Sequence, residues 1–256
     1  MSSAHLFFLY AGLSLDDALA TAPSFSLASP DLAHRVYTVL RLRPGEHVQL
    51  FSDAHVATLT LTASPRPKHL ITGMLQTVTR IAPAPQKITA AIGLLKKESF
   101  EEAVHHATVT GAHAIAPLIT EKSRRGWLHE REPERLRTLI TAAAEQAKNP
   151  RIPQLLNPIR LTDLSKQPPS VRIGFDAAST HTMHEYVHDA ALISAPEVCV
   201  FIGPEGGFTE QELQHLTAQG TTFYRLTSTI LRTQEATCVA LGLLNVFRPD
   251  DDTSSF

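Results

Sequence analysis

Cysteine is scarce: Cys199 and Cys238 are the only two in 256 residues. Two thiols, both in apolar stretches, make no disulfide framework, so the expected setting is a reducing cytoplasm. Long apolar runs are missing as well, and none approaches the roughly 18 residues of a membrane span. Met1–Tyr10 lacks a basic flank and an extended apolar stretch, which argues against a signal peptide. Charged residues make up only 19% of the chain and hydrophobic ones 43%, values that exclude disordered, collagen-like and coiled-coil classes. What is left is one large or two modest domains. A chain of this length buries roughly 70–75% of the surface its unfolded form exposes, so no disulfide or metal staple is needed.

The net charge of −2 hides an asymmetry. Residues 121–160 hold nine Lys/Arg against five Asp/Glu, whereas residues 161–256 hold five against twelve. A polyanion would meet the middle segment. A solvated helix face of mixed charge is the plainer reading of the same numbers.

Hydrophobic periodicity divides the chain. In residues 1–80, His5–Tyr10, His47–Phe51, Val56–Leu61 and Leu70–Thr79 read as short strands, with Ser52-Asp53-Ala54 as a hairpin link. One helix interrupts them, with Ser29 as its cap and Pro30 in its first turn. Residues 81–87, with Pro83 and Pro85, read as an extended linker. Residues 88–256 then alternate strands (Ile88–Leu95, Ala114–Ile119, Val171–Asp176, Val198–Ile202, Thr222–Leu226) with helices. Those helices begin at Ser99, Pro133, about Met183, Thr209 and Ala236. Ser99/Glu102 and Thr209/Glu212 have capping-box spacing. This alternation predicts a mostly parallel sheet covered on both faces, with ligands at the carboxyl ends of its strands.

Two strand-to-helix loops stand out. Ile202-Gly203-Pro204-Glu205-Gly206-Gly207-Phe208 combines three glycines with a helix N-terminus, which lets a ligand approach backbone N–H groups. It is neither a Walker loop nor a dinucleotide fingerprint, because its spacing differs from both. Leu226-Thr227-Ser228-Thr229-Ile230-Leu231-Arg232 ends on a single Arg able to stabilise developing negative charge, or to make a surface salt bridge. A third segment, Glu145 to Arg151, ends a helix with two cations suited to phosphate or to the helix dipole. His181, His184 and His188 share a helical face, but nothing beside them supports a metal, and no metal is assigned.

These segments, in this order after a β-rich start, resemble the ribosomal small-subunit (16S) RNA uracil-N3 methyltransferase family of the trefoil-knot, or SPOUT, class. The resemblance covers nearly the whole chain. It rests on His34, Val39-Leu40-Arg41 and Gly45, on Lys96 with Ala107-Thr108 and Gly111, and on Ala144-Glu145-Gln146 with Arg151 and Pro153. The intact loop at 202–208 and Ile230-Leu231-Arg232 complete it. The chain departs from the family at Val109, Asn149, Thr227 and Gln234.

The resemblance implies an α/β fold. It pairs a C-terminal parallel-sheet, knotted methyltransferase domain with a small N-terminal PUA-like β-barrel that binds RNA. It implies S-adenosyl-L-methionine bound by Phe175, Ile202, Gly203, Gly206, Gly207, Leu226, Thr227, Ser228, Ile230 and Leu231. Arg232 and Glu205 become the candidate catalytic residues. Arg35, Arg41, Arg43, Lys96, Lys122, Arg124, Arg125 and Arg151 become the candidate contacts to 16S rRNA or the small ribosomal subunit. A homodimer, cytoplasmic and without metal, completes the expectation. The competing reading is a binding protein of the same fold, a ribosome-assembly factor that has lost catalysis with the motif glutamate now Gln234.

Overall fold

The computed structural model describes residues 6–20, 23–62, 69–123, 126–127, 131–166 and 171–247. The chain divides into two units, residues 1–82 with 145–151, and residues 83–144 with 152–256.

The first unit contains β1 (Phe7–Tyr10), α1 (Ser14–Leu19), β2 (Ser24–Ala28), α2 (Pro30–His34), β3 (His47–Phe51), β4 (His55–Leu61) and β5 (Leu70–Arg80). Its five strands lie in the order β1-β3-β4-β5-β2, parallel at β1–β3 and antiparallel elsewhere. β1 and β2 are edges, so this sheet is open rather than the closed barrel expected. Helices cover its apolar face instead: Leu15 of α1 and Leu32 of α2 pack with Leu27, Leu50, Leu59 and Ile71. Sequence periodicity missed α1 and β2, which at six and five residues are too short to show a clear period. It found the β3–β4 hairpin, where the buried Ser52 Oγ accepts from Ala54 N at 3.1 Å and His55 N at 3.0 Å. Ser29 stands in extended conformation before Pro30, as a helix start requires. α2 then continues as a π-helical turn, Arg35–Val39, and the chain leaves it through Arg41 at φ 56°.

The second unit contains β6 (Lys87–Gly93), α3 (Lys97–Val109), β7 (Ala114–Ile119), α4 (Glu132–Gln146), β8 (Gln154–Leu155), β9 (Ile159–Arg160) and β10 (Val171–Phe175). It continues with α5 (Met183–Tyr186), α6 (Ala190–Ile193), β11 (Glu197–Ile202), α7 (Glu210–Ala218), β12 (Thr221–Tyr224) and α8 (Thr233–Phe247). The sheet order is β12-β10-β11-β6-β7-β8, with β9 also on β7, and every pairing is parallel. Strands buried on both faces need continuous apolar sequence, which is why Val198, Val200, Phe201 and Ile202 all lie in the core. Phe100 and Val104 of α3 and Leu241 and Leu244 of α8 pack over Ile92 and Val200 on one face. Phe208 and Leu216 pack over Phe201 and Leu118 on the other. Each such side chain contributes about 1.5–3 kcal/mol when fully buried.

Three local expectations need correction, the first being that α8 starts at Thr233 rather than Ala236, because Ala236 N already donates to Arg232 O at 2.8 Å. α3 starts at Lys97, not Ser99, because Phe100 N already closes a turn on Lys96 O at 2.9 Å. The helix expected near Met183–Leu192 is two short helices, α5 and α6. Burial pushes the Cys199 thiol in β11 up to about 12, which keeps it protonated and inert. Among the described residues, no helix is long and apolar enough to cross a membrane.

Candidate functional site

The neighbouring strands β12, β10 and β11 send their C-terminal loops to one end of the sheet. β11 lies between β10 and β6, where the chain's strand order reverses, and such switch points open a crevice above the sheet. The crevice here is a cavity of about 360 Å³, lined by Phe175–Ala177, Ile202–Phe208, Leu213, Ile230, Leu231, Thr233 and Ala236. A smaller hollow of about 100 Å³ shares Phe175–Ala177, Ile230 and Leu231, and adds Arg225, Leu226, Thr227 and Thr229. Loops that are far apart in sequence thus form one lining.

The glycine loop is shaped locally. Gly207 N donates to Pro204 O at 2.8 Å, closing a turn that leaves Gly207 at φ 66°, where a side chain is strained. Thr209 then caps α7: its Oγ1 accepts from Glu212 N at 3.2 Å while Thr209 N donates to Glu212 Oε2 at 2.8 Å. The second capping box is therefore present as expected. From the far side, the buried Thr233 donates its hydroxyl to Gly203 O at 2.9 Å and ties α8 to the loop.

Of the expected cofactor contacts, Phe175, Ile202, Gly203, Gly206, Gly207, Ile230 and Leu231 line the larger cavity, and Leu226 and Thr227 line the smaller. Ser228 lines neither. Glu205 is exposed on the rim. Arg232 is also exposed and follows directly on the lining residue Leu231, with no side-chain partner among the described residues. Pro204, Phe208, Leu213, Thr233 and Ala236 also line the cavity but were not among the expected contacts. So was Gly93 overlooked, although a Cβ there would lie 2.5 Å from Pro204 N. A glycine ending an apolar strand is the signal that was available for it.

The expected RNA cations divide. Arg41 and Arg43 of the first unit are exposed, as is Lys96 of the second. Arg35 makes a two-pronged pair with Glu145, at 2.9 Å and 2.5 Å, and Tyr10 N adds a third bond at 2.9 Å to the same carboxylate. That hydrogen bonding raises the Arg35 pKa, and it commits two of the guanidinium's donors to Glu145. Arg151 donates twice to Ala82 O, at 3.1 Å and 2.9 Å. Lys122 turns its ammonium onto the glycine loop, at 2.9 Å from Gly206 O and 3.2 Å from Phe208 O. Arg124 and Arg125 lie outside the described residues. Among the described residues, no group of three or more His, Cys, Asp or Glu could hold a metal. His181 bonds Glu185 at 2.7 Å, and the His184 and His188 rings meet edge-on at 4.4 Å.

Gln234 lines neither cavity. It is buried at the start of α8, with Nε2 3.4 Å from Glu102 Oε2. A glutamate there would face Glu102 with like charge, whereas the amide offers it a donor.

A family model described as an RNA methyltransferase domain matches residues 82–245. The protein named ribosomal RNA small subunit methyltransferase E in Mycobacterium bovis is 28% identical over 250 residues, 93% of each chain. A ribosomal RNA small subunit methyltransferase E from Neisseria gonorrhoeae, solved bound to S-adenosyl methionine, is similar with a TM-score of 0.79. That likeness has 22% identity and covers 95% of this chain and 98% of that one. A protein from Legionella pneumophila, solved in complex with S-adenosylmethionine, gives 0.77 at 24% identity, over 96% and 98% of the two chains. At these identities the likeness to solved structures shows a shared fold.

Proposed function

Because the chain belongs to the RNA methyltransferase family, we propose that it methylates N3 of a uridine in 16S ribosomal RNA within the small subunit, using S-adenosyl-L-methionine. The observation that carries this reading is the meeting of the loops after β10, β11 and β12 around one cavity, in a chain whose curated relatives carry the small-subunit methyltransferase name. We further propose a knotted path for the C-terminal segment, a PUA-like RNA-binding role for the first unit, a homodimer and a cytoplasmic location, all on the family resemblance.

The cavity's residues fit this cofactor. Its volume of about 360 Å³ lies within the range of small-molecule pockets, roughly 300–1,000 Å³. Ile202, Phe208, Leu231 and Ala236 offer apolar surface to a purine and to the methylene groups beside the sulfur, and the glycine loop brings backbone polar groups within reach of the purine edge. The cofactor, when bound, supplies an electrophilic methyl on a sulfonium.

The rest of the chemistry belongs to the chain. Uracil N3–H is a weak acid that must lose its proton before N3 becomes nucleophilic. Arg232, at the cavity's edge, would hold the negative charge that then develops on the base, and it is most effective in a site from which RNA has displaced water. Glu205, on the rim, would accept the proton or orient the base. Transfer between aligned atoms needs little more, so positioning carries much of the rate.

The binding-factor alternative is not favoured. The departure that motivated it, Gln234, is matched by Glu102 and stands off the cavity wall. The deciding experiment incubates the protein with labelled S-adenosylmethionine and small subunits lacking the modification, then digests the RNA to nucleosides. Label in 3-methyluridine is expected. Label in another nucleoside would overturn the N3 assignment alone, and no transfer despite binding of both ligands would restore the alternative.

RNA binding should weaken steeply with salt, since each phosphate contact releases counterions. The double reversal Arg41→Glu, Arg43→Glu should lower small-subunit affinity at low salt and flatten the salt dependence by about two phosphate contacts. Cofactor affinity should not move. An unchanged salt slope by filter binding would remove these arginines from the RNA surface.

A further inference from the structure

We infer that Lys122 is a positioning residue that sets the glycine loop of the cofactor cavity, rather than a contact to RNA. The inference rests on the cofactor reading above. Lys122 sits in a small closed turn just past β7, in which Ser123 N donates to Thr120 O at 3.2 Å and Thr120 N to Ser123 Oγ at 3.0 Å. From there its ammonium reaches across 84 residues of sequence to Gly206 O, and to Phe208 O beyond it. An ammonium carries three donors on one atom, so a single side chain can hold two carbonyls that diverge along the loop. Charge makes each bond stronger than a neutral one.

The stem takes part too. A Cβ on Gly206 would lie 3.1 Å from Lys122 Cδ, so the aliphatic chain rests against the space that this glycine leaves open. The next residue reinforces the grip. Glu121 N donates to Glu212 Oε1 at 2.7 Å, and the other oxygen of Glu212 holds Thr209 N. The turn after β7 therefore grasps the loop at its middle and at its entry into α7. Thr233 holds Gly203 O from the opposite side, and Gly207 N holds Pro204 O. With the carbonyls of 203, 204, 206 and 208 all engaged by donors from the chain, the loop keeps one shape before any ligand arrives. Preorganisation of this kind raises affinity by removing an ordering cost from binding.

The test compares wild type with Lys122→Met, which keeps the stem and loses the donors, and with Lys122→Arg, which restores charge and donors. Three quantities are read: binding of S-adenosylhomocysteine by calorimetry, backbone amide exchange across 203–208 in the ligand-free protein, and small-subunit binding. Lys122→Met should bind S-adenosylhomocysteine about tenfold more weakly, which is about 1.4 kcal/mol. It should exchange the Gly206–Phe208 amides faster and bind small subunits as wild type does. In turnover, KM for S-adenosylmethionine should rise about tenfold while kcat at saturation stays within about threefold, the pattern of a lost binding contribution. Lys122→Arg should recover most of the affinity and the protection.

Wild-type exchange and affinity in Lys122→Met, with weaker small-subunit binding, would overturn the inference and make Lys122 an RNA contact. A wild-type protein that binds no S-adenosylhomocysteine would instead overturn the cofactor reading, and the exchange comparison would still decide whether Lys122 holds the loop.

Discussion

Arg232→Lys should fold normally, bind S-adenosylmethionine within about threefold, and yet transfer methyl about 100-fold more slowly in a single turnover. If Arg232 served only in an exposed ion pair, the change would matter little, because such pairs are worth about 0–1 kcal/mol. The structure provides no such pair: the guanidinium is exposed and has no partner among the described residues. No described residue is held by its side chain, so a large kinetic loss would report on the reaction alone. Lysine keeps the charge but not the planar fork of donors that can face the edge of a base. Losing one well-placed donor to a developing anion typically costs on the order of 100- to 1000-fold in rate. Near-normal transfer by a folded Arg232→Lys variant would remove Arg232 from the mechanism.

Gly93→Ala should weaken S-adenosylhomocysteine binding by more than about tenfold, although Gly93 is not among the residues that line the cavity. β6 ends at Gly93, and a methyl there would stand 2.5 Å from Pro204 N, 2.7 Å from Pro204 Cδ and 2.9 Å from Gly203 C. These are backbone and ring atoms, which have no rotamer to change. The glycine loop itself would have to shift, at a cost of about 1–3 kcal/mol for overpacking of this kind. Gly242 in α8 is the control, because a Cβ there meets nothing within 4 Å. Gly242→Ala should leave binding unchanged and stabilise the protein by up to about 1 kcal/mol, as alanine does in a helix interior. Calorimetric affinities and thermal midpoints separate the two, and a Gly93→Ala variant with wild-type affinity would show that the loop does not need this close approach.

Particular residues show why the site was partly legible beforehand. The 202–208 loop announced itself because its signals are local: a buried strand, three glycines, then Thr209 and Glu212 at capping-box spacing, all within a few residues. The same spacing at Ser99 and Glu102 misled, because the first turn of α3 had already closed on Lys96. Arg35, Lys122 and Arg151 were assigned on charge and on the family resemblance, and neither says which acceptor a side chain meets. Glu145 lies 110 residues from Arg35 and Gly206 lies 84 from Lys122, separations at which no sequence pattern pairs them.

By itself, the sequence determined the main strand–helix alternation of the second unit, though not the short β8 and β9, together with the parallel sheet it implies and the loops that meet around the cavity. Continuous apolar strands have no stable place except between two layers of helix, and glycine at a strand-to-helix turn acts through its own backbone. Only the tertiary structure decided that the first sheet stays open beneath α1 and α2, that the exposed Lys122 reaches back to the carbonyls of the glycine loop, and that a Cβ on Gly93 would collide with Pro204. Each of these depends on atoms brought within a few ångströms by the packing of distant segments. Close packing and hydrogen-bond partners are properties of that assembled arrangement, and they leave no periodic trace along the chain.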